Sequence, residues 1–161
     1  MEKNYLQGLY FGIISGTITT TGLIIGLRSG TMSKLAIISG ILAISISDTL
    51  SDAFGLYISK KAEDKKDISD GPLKTAIGVI FAKFIIANSF LIPVLLVSGI
   101  DLSVIICLVW SAILIVSSTS YLSIIRRENV ILNTSKYLFL TFIIVIITHY
   151  SGDCINKMFS R

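Results

Sequence analysis

Two aspartates spaced four residues apart are the side chains with the clearest potential for chemistry. Asp48 and Asp52 lie in segment 45–64, which starts inside an apolar run and ends in a charged stretch. On a helix this spacing puts both carboxylates on one face, one turn apart. Inside a membrane each charged aspartate costs about 2.5–3.5 kcal/mol, so the pair needs a cation, a proton or a basic partner. A hard divalent cation would accept both carboxylates, with the Ser51 hydroxyl as a further oxygen ligand.

Lys83 provides an alternative explanation for these aspartates. It is the one basic residue well inside an apolar block, and a lysine in lipid needs a partner as much as an aspartate does. A salt bridge from Lys83 to Asp48 or Asp52 would be a structural staple. The two interpretations are compatible, since the aspartates could hold Lys83 whenever no cation is bound. A second pair with the same spacing, His149 and Asp153, is open to metal binding or to simple solvation at a helix end.

The elements that would position these residues are membrane-spanning helices. Of the 161 residues, 53% are hydrophobic and 15% are charged, and the mean hydropathy is +0.82. Soluble domains carry about 25% charged residues. Five apolar blocks are each long enough to cross about 30 Å of hydrocarbon as helices, which predicts an all-α, polytopic membrane protein with a single transmembrane domain. The predicted helices cover residues 5–27, 34–59, 73–98, 102–125 and 135–155, with a charged loop at 60–71.

The first apolar block has a stripe of small residues and a polar centre. Gly8, Gly12 and Gly16 follow one another at four-residue steps, which allows another helix backbone to approach closely in lipid. The threonines of its TITTTG segment could bond back to the preceding turn or face a polar pathway. Ser15 and Thr19 are therefore candidate oxygens that support the aspartate site.

The basic residues predict how the protein is oriented. Nine of them fall on one side of a five-helix topology, including those of the loop at 60–71 and of the turn near Arg126, and four fall on the other side. The positive-inside rule then places the N-terminus and the charged loop in the cytoplasm. The small size and the lack of a targeting extension favour a prokaryotic plasma membrane.

Composition and motifs argue against several other classes of protein. The net charge of +4 arises at helix ends and loops without interleaved aromatic residues, so nucleic acid is not an expected partner. Cys107 and Cys154 lack the spacing of a disulfide framework or of a CxxC metal site. The chain has no hydrolase, nucleotide-binding or zinc-protease signature, so we expect neither an enzyme nor a cofactor.

Three long segments carry a family resemblance. GIISGTITTTGLIIGL is similar to a glycine-rich first helix, and SDTLSDAFGLYISKKAED to a second helix with a Lys-Ala-Glu tail. GPLKTAIGVIFAKFIIANSFLIPVLLVSG is similar to a third helix that begins with Pro-Leu-Lys. In their order and spacing these segments resemble the vacuolar iron transporter family of divalent-metal/proton exchangers, over almost the whole chain. The loop after the second helix is too short for the cytoplasmic metal-binding domain of the plant members.

The resemblance implies five membrane helices, a homodimer and an ion path between protomers lined by the first two helices. Three positions depart from the family pattern. Ser15 stands where the first helix has an aspartate, Asp52 where the second has a methionine, and Leu56 where it has a glutamate. A carboxylate in place of a thioether favours harder ions such as Mn²⁺, Mg²⁺ or Ca²⁺ over Fe²⁺. In a dimer, two copies of Asp48 and Asp52 would supply four carboxylates around one axis.

The sequence therefore predicts a membrane transporter of divalent cations of the Fe²⁺/Mn²⁺ class, with protons exchanging on the same carboxylates. The alternative is a non-transporting membrane scaffold or regulator in which Asp48, Asp52 and Lys83 form an internal polar staple. A third possibility is a channel or transporter for another solute, with the acids as a cation filter. The expected partners are divalent metal ions, protons, the lipid bilayer and a second copy of the chain.

Overall fold

The computed structural model describes residues 2–63 and 70–159, and the regular elements within these ranges are all helices. The helices are α1 (Glu2–Thr31), α2 (Lys34–Glu63), α3 (Gly71–Ser89), α4 (Leu91–Leu96), α5 (Ile100–Arg126) and α6 (Val130–Phe159). α3 and α4 together form one span, so the described chain has five spans long and apolar enough to cross a membrane. The predicted all-α fold with five such helices is confirmed.

The helices extend beyond the apolar blocks that predicted them, because capping side chains rather than hydropathy set several helix ends. The Ser33 hydroxyl accepts a hydrogen bond from the N–H of Ala36 (3.2 Å) at the start of α2. The Asn129 side chain accepts one from the N–H of Leu132 (3.1 Å), which starts α6 five residues before the predicted 135. α2 continues to Glu63 into the predicted loop 60–71, of which residues 64–69 lie outside the described ranges.

Pro93 interrupts the third span. It has no N–H to donate to the carbonyl of Ser89, one turn earlier, and its ring crowds that carbonyl. The N–H of Phe90 bonds to the carbonyl of Ala87 (3.3 Å), one residue nearer than in an α-helix, and the chain resumes as α4 at Leu91. The result is an interruption of the helix at Phe90, in the half of the span that lies beyond Lys83.

The glycine stripe of α1 allows the close approach of another helix that the sequence predicted, and the structure shows that this helix is α3. A Cβ atom on Gly12 would lie 2.9 Å from the carbonyl oxygen of Val79 and 3.0 Å from the Cβ of Ala82. One on Gly16 would lie 3.1 Å from the Cγ of Lys83. Only glycine permits this approach, and it brings the α1 backbone directly against the lysine side chain.

The interior has two apolar clusters with a polar layer between them. Val79 on α3 belongs to one cluster and Phe90, which follows the last residue of α3, to the other, and Lys83 lies between them in the sequence. On α2 the corresponding residues are Ala53 and Ile41, and both aspartates lie between those. The outer surface is rich in exposed large apolar side chains, which suits a lipid environment.

Candidate functional site

The polar layer is built from α1, α2 and α3. Lys83 is only 1% exposed, since α1 covers it at Gly16. The side chains of Asp48 and Asp52 remain 31% and 26% exposed on α2. The helical spacing of the two aspartates points both of them toward the lysine, so the structure brings the three predicted charged residues together.

The lysine ammonium contacts both carboxylates. Lys83 Nζ lies 2.6 Å from Oδ2 of Asp48 and donates a short hydrogen bond to Oδ2 of Asp52. It also donates to the Ser15 hydroxyl (3.1 Å), and that hydroxyl in turn donates to Asp52 Oδ2 (2.8 Å). Ser15 therefore supplies a neutral hydroxyl donor to the site.

The two aspartates are held differently. Asp52 accepts hydrogen bonds from Lys83 and Ser15, whereas the Asp48 oxygen facing the ammonium accepts none with suitable geometry and contributes an ion pair alone. The hydroxyls of Thr20 and Thr49 are also buried without a partner among the described residues. Thr49 follows Asp48 in the sequence, and Thr20 lies one turn after Gly16 on α1.

Two of the predicted supporting residues do not join the triad of Asp48, Asp52 and Lys83. Ser51 lies on the exposed outer face of α2, although it stands between the aspartates in sequence. Thr19 is exposed one turn from Ser15, and its hydroxyl bonds back to the Ser15 carbonyl (2.9 Å). A hydroxyl bonded to its own helix still has lone pairs to offer, but neither residue touches the charged groups as the structure stands.

His149 and Asp153, the second predicted pair, each contact a different neighbouring side chain. Asp153 forms an ion pair with Lys157, one turn further on (2.7 Å), while His149 stacks edge-on against Tyr150 at a ring-centroid distance of 5.6 Å. Within residues 2–63 and 70–159 there is no group of three or more His, Cys, Asp or Glu side chains arranged to hold a metal ion. A metal site built from these described residues therefore has to use carboxylates together with hydroxyl or carbonyl oxygens, or a second copy of the chain.

The triad carries a formal charge of −1, since two carboxylates face one ammonium. An uncompensated charge is costly inside a low-dielectric span. The exposed parts of the two carboxylates present this negative charge on the outer side of α2. The arrangement is therefore chemically ready to accept one more positive charge. A proton or a metal ion that displaces the ammonium would both satisfy that requirement.

Sequence reasoning missed a cavity that reaches this layer. About 370 Å³ of space lies among α1, α2, α5 and α6, and Ser15 contributes to its wall at one end. Arg126, Tyr10 and Tyr137 also line it. Tyr10 is more than a hundred positions from Arg126 and Tyr137, and only the amphipathic types of Tyr and Arg near predicted helix ends indicated an interfacial role.

Comparison of the chain with models of protein families, with curated proteins and with solved structures finds no match. The likeness to vacuolar iron transporters therefore rests on the segments quoted above. What the fold itself defines is a helical protein with five spans suited to a multi-pass membrane protein.

Proposed function

We propose that this protein moves divalent cations of the Fe²⁺/Mn²⁺ class across a membrane in exchange for protons, with Asp48 and Asp52 as the cation-binding residues. The observation that carries the proposal is the negative triad inside the spans. Lys83 occupies the position of a bound cation, in contact with both carboxylates. A transported ion would compete with this ammonium, so release of the ion would leave the site occupied by the protein's own charge.

The types of ligand favour a hard ion. The site offers carboxylates from Asp48 and Asp52 and the hydroxyl of Ser15, without a thiol or imidazole among the described residues around it. All-oxygen sites suit Mn²⁺, Mg²⁺ and Ca²⁺ better than ions that prefer sulfur or nitrogen. We therefore place Mn²⁺ ahead of Fe²⁺ as the substrate.

A transport assay tests the proposal. Purified protein is reconstituted in liposomes, and uptake of Mn²⁺, Fe²⁺ and Co²⁺ is measured under a pH gradient for the wild type and for Asp52→Asn. Asp101→Asn is the matched control, because Asp101 pairs with Arg28 (2.7 Å) away from the triad. We expect the wild type and Asp101→Asn to take up the ions, and we expect Asp52→Asn to lose uptake. Wild-type protein that moves none of the ions would refute transport, and equal uptake by Asp52→Asn would refute the site.

The proposal includes a homodimer that brings two triads together. The outer face of α2 carries a small residue at every fourth position, and all six are exposed: Ser39, Ala43, Ser47, Ser51, Gly55 and Ser59. A Cβ atom on Gly55 would meet nothing within 4 Å. Stripes of this kind let two identical helices approach closely in lipid. The partly exposed carboxylates adjoin this face, so a cation between protomers would be shared by both copies.

The second candidate is a scaffold or regulator without transport. It is favoured by the contact of Lys83 with both aspartates, which already gives each charged group a partner. A membrane helix bundle held by such a staple needs no ion. The two functions differ in whether added Mn²⁺ raises the free energy of unfolding of the protein, which a transporter that binds the ion requires and a scaffold does not.

We place the N-terminal end of α1 in the cytoplasm of a prokaryotic cell. Seven basic residues of the described ranges lie at that end of the bundle, and three at the other. Each of the three is engaged: Arg28 with Asp101, Lys157 with Asp153, and Lys34 with the carbonyl of Val97 (2.8 Å). The larger number of basic residues lies at the end that holds the start of α1, as the positive-inside rule requires of a cytoplasmic face. Fusion of a reporter to each end of the chain tests this orientation.

A further inference from the structure

The cavity among α1, α2, α5 and α6 has the chemistry of a lipid site. Its apolar wall includes Phe11, Ile14 and Leu122, and polar groups come from Gln7 and from the residues named above. Gln7 and Ser15 are eight residues apart on α1, so the cavity extends about 12 Å along that helix. A pocket that combines this apolar wall with a guanidinium and with hydroxyl groups matches an amphipathic molecule.

Arg126 decides the charge of that molecule. It is the last residue of α5 and lines the cavity, and within the described ranges it has no carboxylate at salt-bridge distance. Arg127 and Lys136 nearby are likewise exposed without such a partner in those ranges. A guanidinium presents a planar fork of donors that suits a phosphate. A cation that entered here would meet this positive charge, so the cavity is poorly suited to the transported ion.

We propose that this cavity binds the phosphate of an anionic phospholipid, with the Arg126 guanidinium on the phosphate and an acyl chain along Phe11, Ile14 and Leu122. Tyr10 and Tyr137 line the same cavity and provide hydroxyl donors. Basic pockets between spans on the cytoplasmic side are a known form of anionic-lipid recognition. The inference does not depend on transport, since it rests on the cavity and its charge.

Lipid binding by the purified, delipidated protein tests the proposal. Native mass spectrometry measures retained adducts during titration with dioleoylphosphatidylglycerol, dioleoylphosphatidylcholine or sn-glycerol 3-phosphate. We expect the wild type to retain phosphatidylglycerol at concentrations at which phosphatidylcholine dissociates. Arg126→Gln should weaken phosphatidylglycerol about tenfold, the loss of one charge-assisted contact. Arg127→Gln removes the same charge one residue away, outside the cavity wall, and should bind as the wild type does.

A second variant separates the site from a general surface attraction. Leu122→Trp fills the apolar part and leaves Arg126 in place, so it should weaken phosphatidylglycerol as well. Equal binding by the wild type and Arg126→Gln, or no preference for phosphatidylglycerol over phosphatidylcholine, would overturn the proposal. Displacement of the lipid by sn-glycerol 3-phosphate at equal concentration would also overturn it, because the site would then take a free phosphate ester.

Discussion

Replacement of Lys83 by methionine should reveal how much of the fold depends on the triad. The substitution keeps the length and apolar stem of the side chain and removes its charge, so the remaining carboxylates carry −2. Removal of one partner of a buried ion pair costs about 3–5 kcal/mol. Because Asp48 and Asp52 are 31% and 26% exposed, part of their charge is solvated, and we expect the lower value, about 3 kcal/mol.

The assay is unfolding by increasing SDS in mixed micelles, followed by circular dichroism, for the wild type, Lys83→Met, Asp52→Asn and the double variant. Asp52→Asn leaves Lys83 paired with Asp48 and should cost about 1 kcal/mol, the value of a hydrogen bond. The coupling energy between Lys83 and Asp52, taken from these four proteins, should reach about 2 kcal/mol or more. Hydrogen bonds between membrane helices average about 0.6 kcal/mol and reach about 1.7. A coupling energy below about 0.5 kcal/mol would refute the ion-pair interpretation.

The same unfolding curves, recorded with Mn²⁺, separate the transporter from the scaffold. A ligand at 100 times its Kd stabilises the folded state by about 2.7 kcal/mol. If the aspartates bind the ion, Mn²⁺ should restore stability to Lys83→Met at lower concentration than it affects the wild type, because the competing ammonium is gone. Mn²⁺ without effect on either protein would favour the staple.

Two further predictions concern helix packing. Gly12→Ala should destabilise the fold by about 1–3 kcal/mol in the same SDS assay, because its Cβ would press on Val79 and Ala82. Gly55→Ala meets open space, so it should be neutral or stabilise the helix by up to about 1 kcal/mol. Equal stabilities of the two variants would contradict the packing argument. The dimer contact along α2 is tested in a protein with both native cysteines replaced. Ser47→Cys should form an intermolecular disulfide in oxidised membranes, and Ser135→Cys, at an exposed position on α6, should not. The reverse pattern would place the dimer contact elsewhere.

The charged triad could be anticipated from sequence because it depends on spacing within one helix and on the cost of an unpaired charge in lipid. Asp48 and Asp52 share a helix face by spacing alone, and Lys83 needed a partner wherever it lay. That a helix would approach α1 closely followed from the four-residue spacing of its glycines, although that spacing did not identify the helix as α3. These features depend on one helix at a time, or on the cost of a charge in lipid.

Other contacts depend on how helices cross, and a single sequence does not specify that. The Arg28–Asp101 pair joins residues 73 positions apart that each resemble an ordinary solvated helix end. The bond between the hydroxyls of Thr119 and Thr134 (3.1 Å) joins α5 to the first turns of α6, a region that looks like a loop by hydropathy. The cavity near Arg126 requires four helices to diverge, so it follows only from their three-dimensional arrangement.

The enclosed position of α1 also has a consequence for biogenesis. α1 packs its early glycines on α3, and Gly22 on Ile144 of α6, and its Thr21 hydroxyl bonds to Ser111 of α5 (2.9 Å). Of the most apolar window of α1, 50% is buried, compared with 6% for α6. Because α6 follows the other helices in the sequence, the part of α1 around Gly22 is covered only after α6 has been synthesised. A nascent chain that ends before α6 is therefore expected to leave this part of α1 exposed.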